Sequence, residues 1–214
     1  MSKVILFQGD SISDCARSRE VEAESIPNLW LGNGYPALVA ARLLCDKPKL
    51  DLQFHNRAIS GNRVVDLYAR WKRDALYLNP DILSIMIGVN DTWHKDAAIP
   101  NGVEVPRAKK VYHDLLEWTN EVLPKTKLVL MEPYVLHFGV VQDDWVTEVA
   151  QRSAYTAELA KEFGALFIPT QQLLNDACQK APAEYWLRDG VHPIYAGHQL
   201  FADAWIKATQ QWFR

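Results

Sequence analysis

The sequence predicts a doubly wound α/β domain built on a parallel sheet, and three observations predict it. Four short, continuous apolar runs stand apart along the chain with a fifth, weaker one near the end; such runs suit strands covered on both faces. Between them lie segments with helical apolar spacing, and strand alternating with helix is the pattern of a layered α/β fold. At 214 residues, 49% apolar and 23% charged, the chain has the size and composition of one globular domain spanning residues 1–214.

Each element follows in order. VILF (4–7) is the first strand, closed by Gly9, Asp10 and Ser11. The polar segment 15–34 has little periodicity and reads as a surface excursion beside that strand's end. GYPALVAARLLCD (34–46) carries apolar positions at Leu38, Ala41 and Leu44 or Cys45, with Pro36 suited to a first helical turn. LQFHNRA (52–58) is the second strand. Val64, Leu67, Tyr68, Trp71, Ala75 and Leu78 then share one face of a helix over 64–79. ILSIMIG (82–88) is the third strand, and 93–106 a second loop beyond its end. Helices are expected around 105–123 and 143–164, with a last one over 196–213; KLVLMEP (127–133) and ALFIP (165–169) complete the sheet. No internal repeat, low-complexity tract or linker interrupts the series.

Composition excludes several classes of function. A net charge of −3 with no basic stripe weighs against nucleic acid. No apolar run approaches the roughly 20 residues of a membrane span, and the run before Gly9 is too short for the apolar core of a signal peptide. Cys15, Cys45 and Cys178 are widely spaced, with no metal-ligand pattern, which fits a reducing, cytoplasmic compartment. Neither metal nor organic cofactor is called for, and self-association is left open. The sole Gly-x-Gly, Gly32-Asn33-Gly34, lacks a third glycine and a preceding strand, so a nucleotide-binding loop is disfavoured.

The chemistry gathers at the strand ends. Ser11 stands where the first strand meets the carboxyl edge of the sheet, the edge at which open α/β proteins place ligands. Asp189 and His192 are three apart, with Gly190 between them and Pro193 following, so a compact turn can bring the carboxylate to the imidazole Nδ1–H. Alone, that pair reads more simply as a helix-capping Asp beside a solvated His. Gly61 closes the second strand and Asn90 follows the third; singly they are ordinary turn formers. Together these residues supply a nucleophile, a base with its orienting acid, and three oxyanion donors: the Ser11 N–H, the Gly61 N–H and the Asn90 amide.

Four blocks in order, Gly9-Asp10-Ser11-Ile12, Gly61, Gly88-Val89-Asn90-Asp91 and Asp189-Gly190-Val191-His192, make the chain resemble the GDSL or SGNH hydrolases from end to end. Ile12 replaces the usual Leu. The Gly-x-Ser-x-Gly elbow of α/β-hydrolases is absent. The resemblance implies a flavodoxin-like three-layer α/β/α fold with five parallel strands. It also implies a serine esterase in which Ser11, His192 and Asp189 form the triad and Gly61 and Asn90 serve the oxyanion. Within that family GDSISDCAR, IGVNDTW and YWLRDGVHP are most similar to intracellular acetyl-xylan esterases. A short acyl ester of a carbohydrate such as a xylo-oligosaccharide is the expected substrate, with Asp10, Trp93 and Trp186 as candidate substrate-binding residues and Tyr185 as a further aromatic. The alternatives are a lysophospholipase, thioesterase or aryl-esterase with the same machinery, or a non-catalytic carbohydrate-binding relative.

Overall fold

A computed structural model describes residues 2–20 and 30–214. Five strands form one wholly parallel sheet: β1 (Lys3–Gly9), β2 (Leu52–Asn56), β3 (Ile82–Met86), β4 (Lys127–Met131) and β5 (Leu166–Ile168), in the order β2-β1-β3-β4-β5. All five expected strands are present. The order is the flavodoxin-like one, and it reverses direction between β1 and β3, so a crevice opens there at the carboxyl edge.

Alternation along the strands builds three layers. Ile5 and Phe7 of β1 face one core with Ile82, Met86, Val129 and Met131, while Leu6 faces another with Leu83, Ile85, Leu128 and Leu130. The first core is covered by α2 (Tyr35–Asp46) and α8 (Tyr195–Thr209), which pack on each other. The second is covered by α3 (Val64–Asp74), α5 (Val105–Val122) and the carboxyl half of α6 (Asp143–Glu162). The amino half of α6 sends Trp145 and Val149 into the first core. β3, between two neighbours and under both layers, is buried throughout, as its uninterrupted apolar run requires.

Among the described residues are also three shorter helices, α1 (Ser11–Asp14), α4 (Val89–Trp93) and α7 (Thr170–Ala177), and 3-10 turns at His94–Asp96 and Ala183–Tyr185. The helix expected over 64–79 stops at Asp74 and resumes as a single 3-10 turn, Leu76–Leu78. The buried Gln8 amide donates to the Asp74 carbonyl, which leaves the helical ladder there. The last helix likewise tightens into a 3-10 turn over Gln210–Phe213. The middle of the expected 15–34 excursion, residues 21–29, lies outside the described residues. Its far flank is not a surface loop: Trp30 and Leu31 are buried beside Ala40, and the Arg57 guanidinium sits 4.3 Å from the Trp30 ring.

Candidate active site

β1 ends at a very close approach. At Gly9 (φ +153°) a Cβ would stand 2.2 Å from the Met86 carbonyl oxygen of β3, so only glycine fits there. Asp10 then caps α1 through its carboxylate, which accepts the Ile12 N–H at 3.0 Å, and Ser11 becomes the first helical residue. From that position Ser11 Oγ lies 2.9 Å from His192 Nε2. His192 Nδ1 lies 2.8 Å from Asp189 Oδ2, while Asp189 Oδ1 accepts the backbone N–H groups of His192 (2.8 Å) and Val191 (3.1 Å).

Burial tends to raise the Asp189 carboxyl, but these bonds from His192 and Val191 outweigh it and hold the group below the usual carboxylate range. An ionised Asp189 fixes the imidazole tautomer: Nδ1 carries the proton and Nε2 presents its lone pair to the serine hydroxyl.

The loop bearing Asp189 and His192 is anchored by the chain that follows β4. Leu136 N–H donates to the Gly190 carbonyl at 2.9 Å, Val140 N–H to the Asp189 carbonyl at 3.0 Å, and the buried Tyr134 hydroxyl to the Val191 carbonyl at 2.7 Å. Gly190 (φ +90°) has the Phe138 carbonyl oxygen 2.4 Å from where a Cβ would be, so the two loops interlock only with glycine there.

A cleft of about 550 Å³ opens over these groups, lined by Ser11, Gly61, Asn90, Trp93, Trp145 and His192 among others. All three expected oxyanion donors belong to residues of its wall. Among the described residues neither the Ser11 N–H nor the Gly61 N–H meets an acceptor. The Asn90 amide spends one hydrogen on the Asn62 carbonyl at 3.1 Å, which orients the side chain and leaves its second hydrogen for a ligand.

The candidate substrate-binding residues separate. Trp93 lines the cleft, its ring 5.6 Å from the His192 ring and 5.2 Å from that of Trp145. Asp10 does not reach it: the carboxyl is occupied as the cap of α1, only 1% of the residue is exposed, and burial pushes its pKa up to about 7. Trp186 lies outside the cleft lining as well; its indole N–H donates to the Ala181 carbonyl and its ring packs edge-on against Tyr185. Sequence reasoning missed Trp145, Val140, Gln142 and Asp96, which also line the cleft. Trp145 is held by Asp96, whose carboxylate accepts the indole N–H at 2.7 Å. These two residues stand 49 positions apart, and no local pattern joins them.

Beyond Ser11, burial and then the nearby His192 lower His198 to about 4, and burial raises the Cys15 thiol; their side chains lie 3.3 Å apart. Among the described residues His113, Asp114 and Glu117 form a group with metal-ligand spacing, but it stands on α5, and none of the three lines the cleft. No helix among those residues is long and apolar enough to cross a membrane.

Residues 7–200 match the model of the GDSL-like lipase/acylhydrolase family. An acetylxylan esterase of Geobacillus stearothermophilus is 35% identical over 98% of this chain and 95% of its own length. The crystal structure of Axe2, an acetylxylan esterase from Geobacillus stearothermophilus, superposes with a TM-score of 0.86 at 33% identity, covering 96% of this chain and 93% of that one. Structures of that enzyme include catalytic mutants in which a serine, a histidine or an aspartate is replaced by alanine. A crystal structure assigned as a GDSL-like lipase, from Parabacteroides merdae, superposes with a TM-score of 0.91 at 40% identity, covering 98% of this chain and 97% of that one. The chain belongs to the GDSL-like lipase/acylhydrolase family and is a carboxylic-ester hydrolase.

Proposed function

We propose that the protein is a serine esterase that removes acetyl groups from carbohydrates such as acetylated xylo-oligosaccharides, and that residues 1–214 form a single hydrolase domain. The observation that carries the reading is the unbroken relay from Ser11 Oγ through His192 to Asp189, with links of 2.9 and 2.8 Å. His192 Nε2 takes the hydroxyl proton as Ser11 Oγ bonds to the ester carbonyl carbon. The oxyanion is received by the N–H groups of Ser11 and Gly61 and the Asn90 amide. Collapse breaks the ester C–O bond, and His192 returns its proton to the departing sugar hydroxyl. Water, deprotonated by the same imidazole, then attacks the acetyl-enzyme and frees acetate. Asp189 stabilises the imidazolium in both halves.

The kinship to an acetylxylan esterase supports a small acyl group and a sugar alcohol. So does a cleft in which Trp93 offers an aromatic face beside polar His94, Asp96 and Gln142, with Trp145 buried behind it. Cytoplasmic residence is part of the proposal, supported by three cysteines that are all unpaired. A rate series on p-nitrophenyl acetate, butyrate and octanoate, followed by acetate release from acetylated xylo-oligosaccharide, tests the reading. Expected are acetate first, octanoate last, and turnover of the oligosaccharide. An octanoate preference would move a lysophospholipase or thioesterase to the front, and silence on all four would favour a binding protein.

A further inference from the structure

We propose that Asp14 is a positioning residue of the oxyanion site, a strut that sets the Gly61 N–H relative to Ser11. Asp14 stands three residues after Ser11 on the same single turn of helix, and only 3% of it is exposed. Asp10, not Asp14, caps that helix. Asp14 does not line the cleft, so it can act on a substrate only through other residues.

Its bonds say which ones. Asp14 Oδ2 accepts the Ser60 N–H at 2.8 Å, one residue before Gly61, while Oδ1 accepts the Arg17 N–H at 3.2 Å. Arg17 Nε in turn donates to the Ala58 carbonyl at 2.7 Å. From the other side the Asn56 side chain, at the end of β2, donates to the Ser13 carbonyl at 2.6 Å and accepts the Ala58 N–H at 3.1 Å. The nucleophile segment and the chain leaving β2 are thereby tied at both ends of Ala58–Ser60.

Beyond the tie the chain turns sharply. Asn62 N–H closes on the Ile59 carbonyl at 3.1 Å, with Ser60 and Gly61 between them and Gly61 at φ +82°. A Cβ on Gly61 would meet nothing within 4 Å, so the side of the turn that carries it is unsupported by packing. Ile59 N–H donates to the Gly9 carbonyl at 3.1 Å and the Asn62 carbonyl accepts the Asn90 amide at 3.1 Å, so the turn is fixed where it begins and ends. Its tip at Ser60 and Gly61 is left to tilt, and an N–H displaced by an ångström loses most of its value to a developing oxyanion. The bond from Ser60 to Asp14 is what ties this turn directly to the helix bearing Ser11. A carboxylate suits the task because it accepts from Ser60 and Arg17 at once, which an amide oxygen cannot do with the same reach.

The proposal rests on the assignment of Ser11 and Gly61 made under the proposed function, and the test separates the two. Kinetics on p-nitrophenyl acetate are measured for Ser11→Ala, Asp14→Asn, Gly61→Ala, Arg19→Ala and the Asp14→Asn/Gly61→Ala pair, each checked for its melting temperature. Asp14→Asn is expected to lower kcat by ~10-fold to 100-fold, short of the ~10²–10³ for a donor removed outright, with KM within about twofold. The double variant is expected to fall well short of the product of the singles, because both changes disturb one N–H. Arg19, exposed and paired with Asp14 at 2.8 Å, supplies the control: Arg19→Ala should leave kcat unchanged. Activity in Ser11→Ala would overturn the site assignment and this proposal with it. An inactive Ser11→Ala beside a fully active Asp14→Asn would overturn the strut alone, as would multiplicative effects in the pair, a loss confined to KM, or failure of Asp14→Asn to fold.

Discussion

A serine hydroxyl at neutral pH is too weak a nucleophile to attack an ester unaided, and in the proposed reaction the remedy at Ser11 is geometric. The cap at Asp10 places Oγ 2.9 Å from an imidazole nitrogen that Asp189 keeps unprotonated on that side. On the proposed mechanism neither half of this device works without the other. Ser11→Ala and His192→Ala are therefore each expected to abolish nearly all of kcat, and the double variant to be little worse than either, since groups acting as one unit are not additive. Steady-state kinetics of the three variants on p-nitrophenyl acetate check this, and a multiplicative double loss would mean that the two residues act separately. At this scale the sequence was most legible where spacing is short. Asp189 and His192 could be paired from a three-residue separation, whereas the bond between Asp96 and Trp145 depends on two segments meeting in space.

Among the elements, α1 shows how a helix of four residues persists. Helix formation has a costly nucleus, so one turn needs a cap and tertiary support more than propensity. The cap, Asp10, is raised to about 7, foremost by burial, against about 3.8 in the unfolded chain, and Asp91 is raised to a similar value, again foremost by burial. Between those two values the folded protein holds protons that the unfolded chain has released. The associated stability is thus fully present below the unfolded value and is lost as pH rises through about 7. His198, lowered to about 4, works in the opposite sense on the acid side, and does so equally in wild type and in variants elsewhere. Asp10→Asn should accordingly make stability fall less steeply from pH 4 to 7 than it does in wild type, as read from urea midpoints at several pH values. An unchanged slope would show that the cap's proton is not linked to folding. Helices α4 and α7 are not expected from the sequence, and the signal of α7 is faint: Thr170, Leu174 and Ala177 share a buried face over barely two turns.

For the molecule as a whole, the sheet is pinned to its helical layers by a few large buried side chains. Trp205 of α8 is fully buried against Phe7 and Phe213, and its indole N–H donates to Ser84 Oγ of β3 at 3.0 Å. Trp205→Ala is expected to cost ~3–5 kcal/mol of unfolding free energy, the range for a large aromatic deleted from a core. Trp205→Phe retains much of the volume but leaves the Ser84 hydroxyl without this donor, so its loss should be smaller, about 1–3 kcal/mol. Urea denaturation of both variants measures this. Equal losses would show that the hydrogen bond, rather than the volume, holds α8 to the sheet.

Five strands, their alternation with helices, and the placing of Ser11, Gly61 and Asn90 at one edge are legible in the residues alone. A run such as ILSIMIG has only one stable fate, burial between two layers, and glycines or polar residues at the run's end mark where the strand must stop. Which side chains face the cleft depends on neighbours far away along the chain. Asp10 turned inward because a one-turn helix needed its carboxylate as a cap, and Trp186 turned away to give its N–H to Ala181. The wall of the cleft was instead completed by Trp145, from a helix on the far side of β4, and the Asp189 loop was steadied by Tyr134. Strands and helices are set by patterns a few residues long. The direction of a side chain is set by whichever distant neighbour satisfies its polar atoms and fills the space beside it.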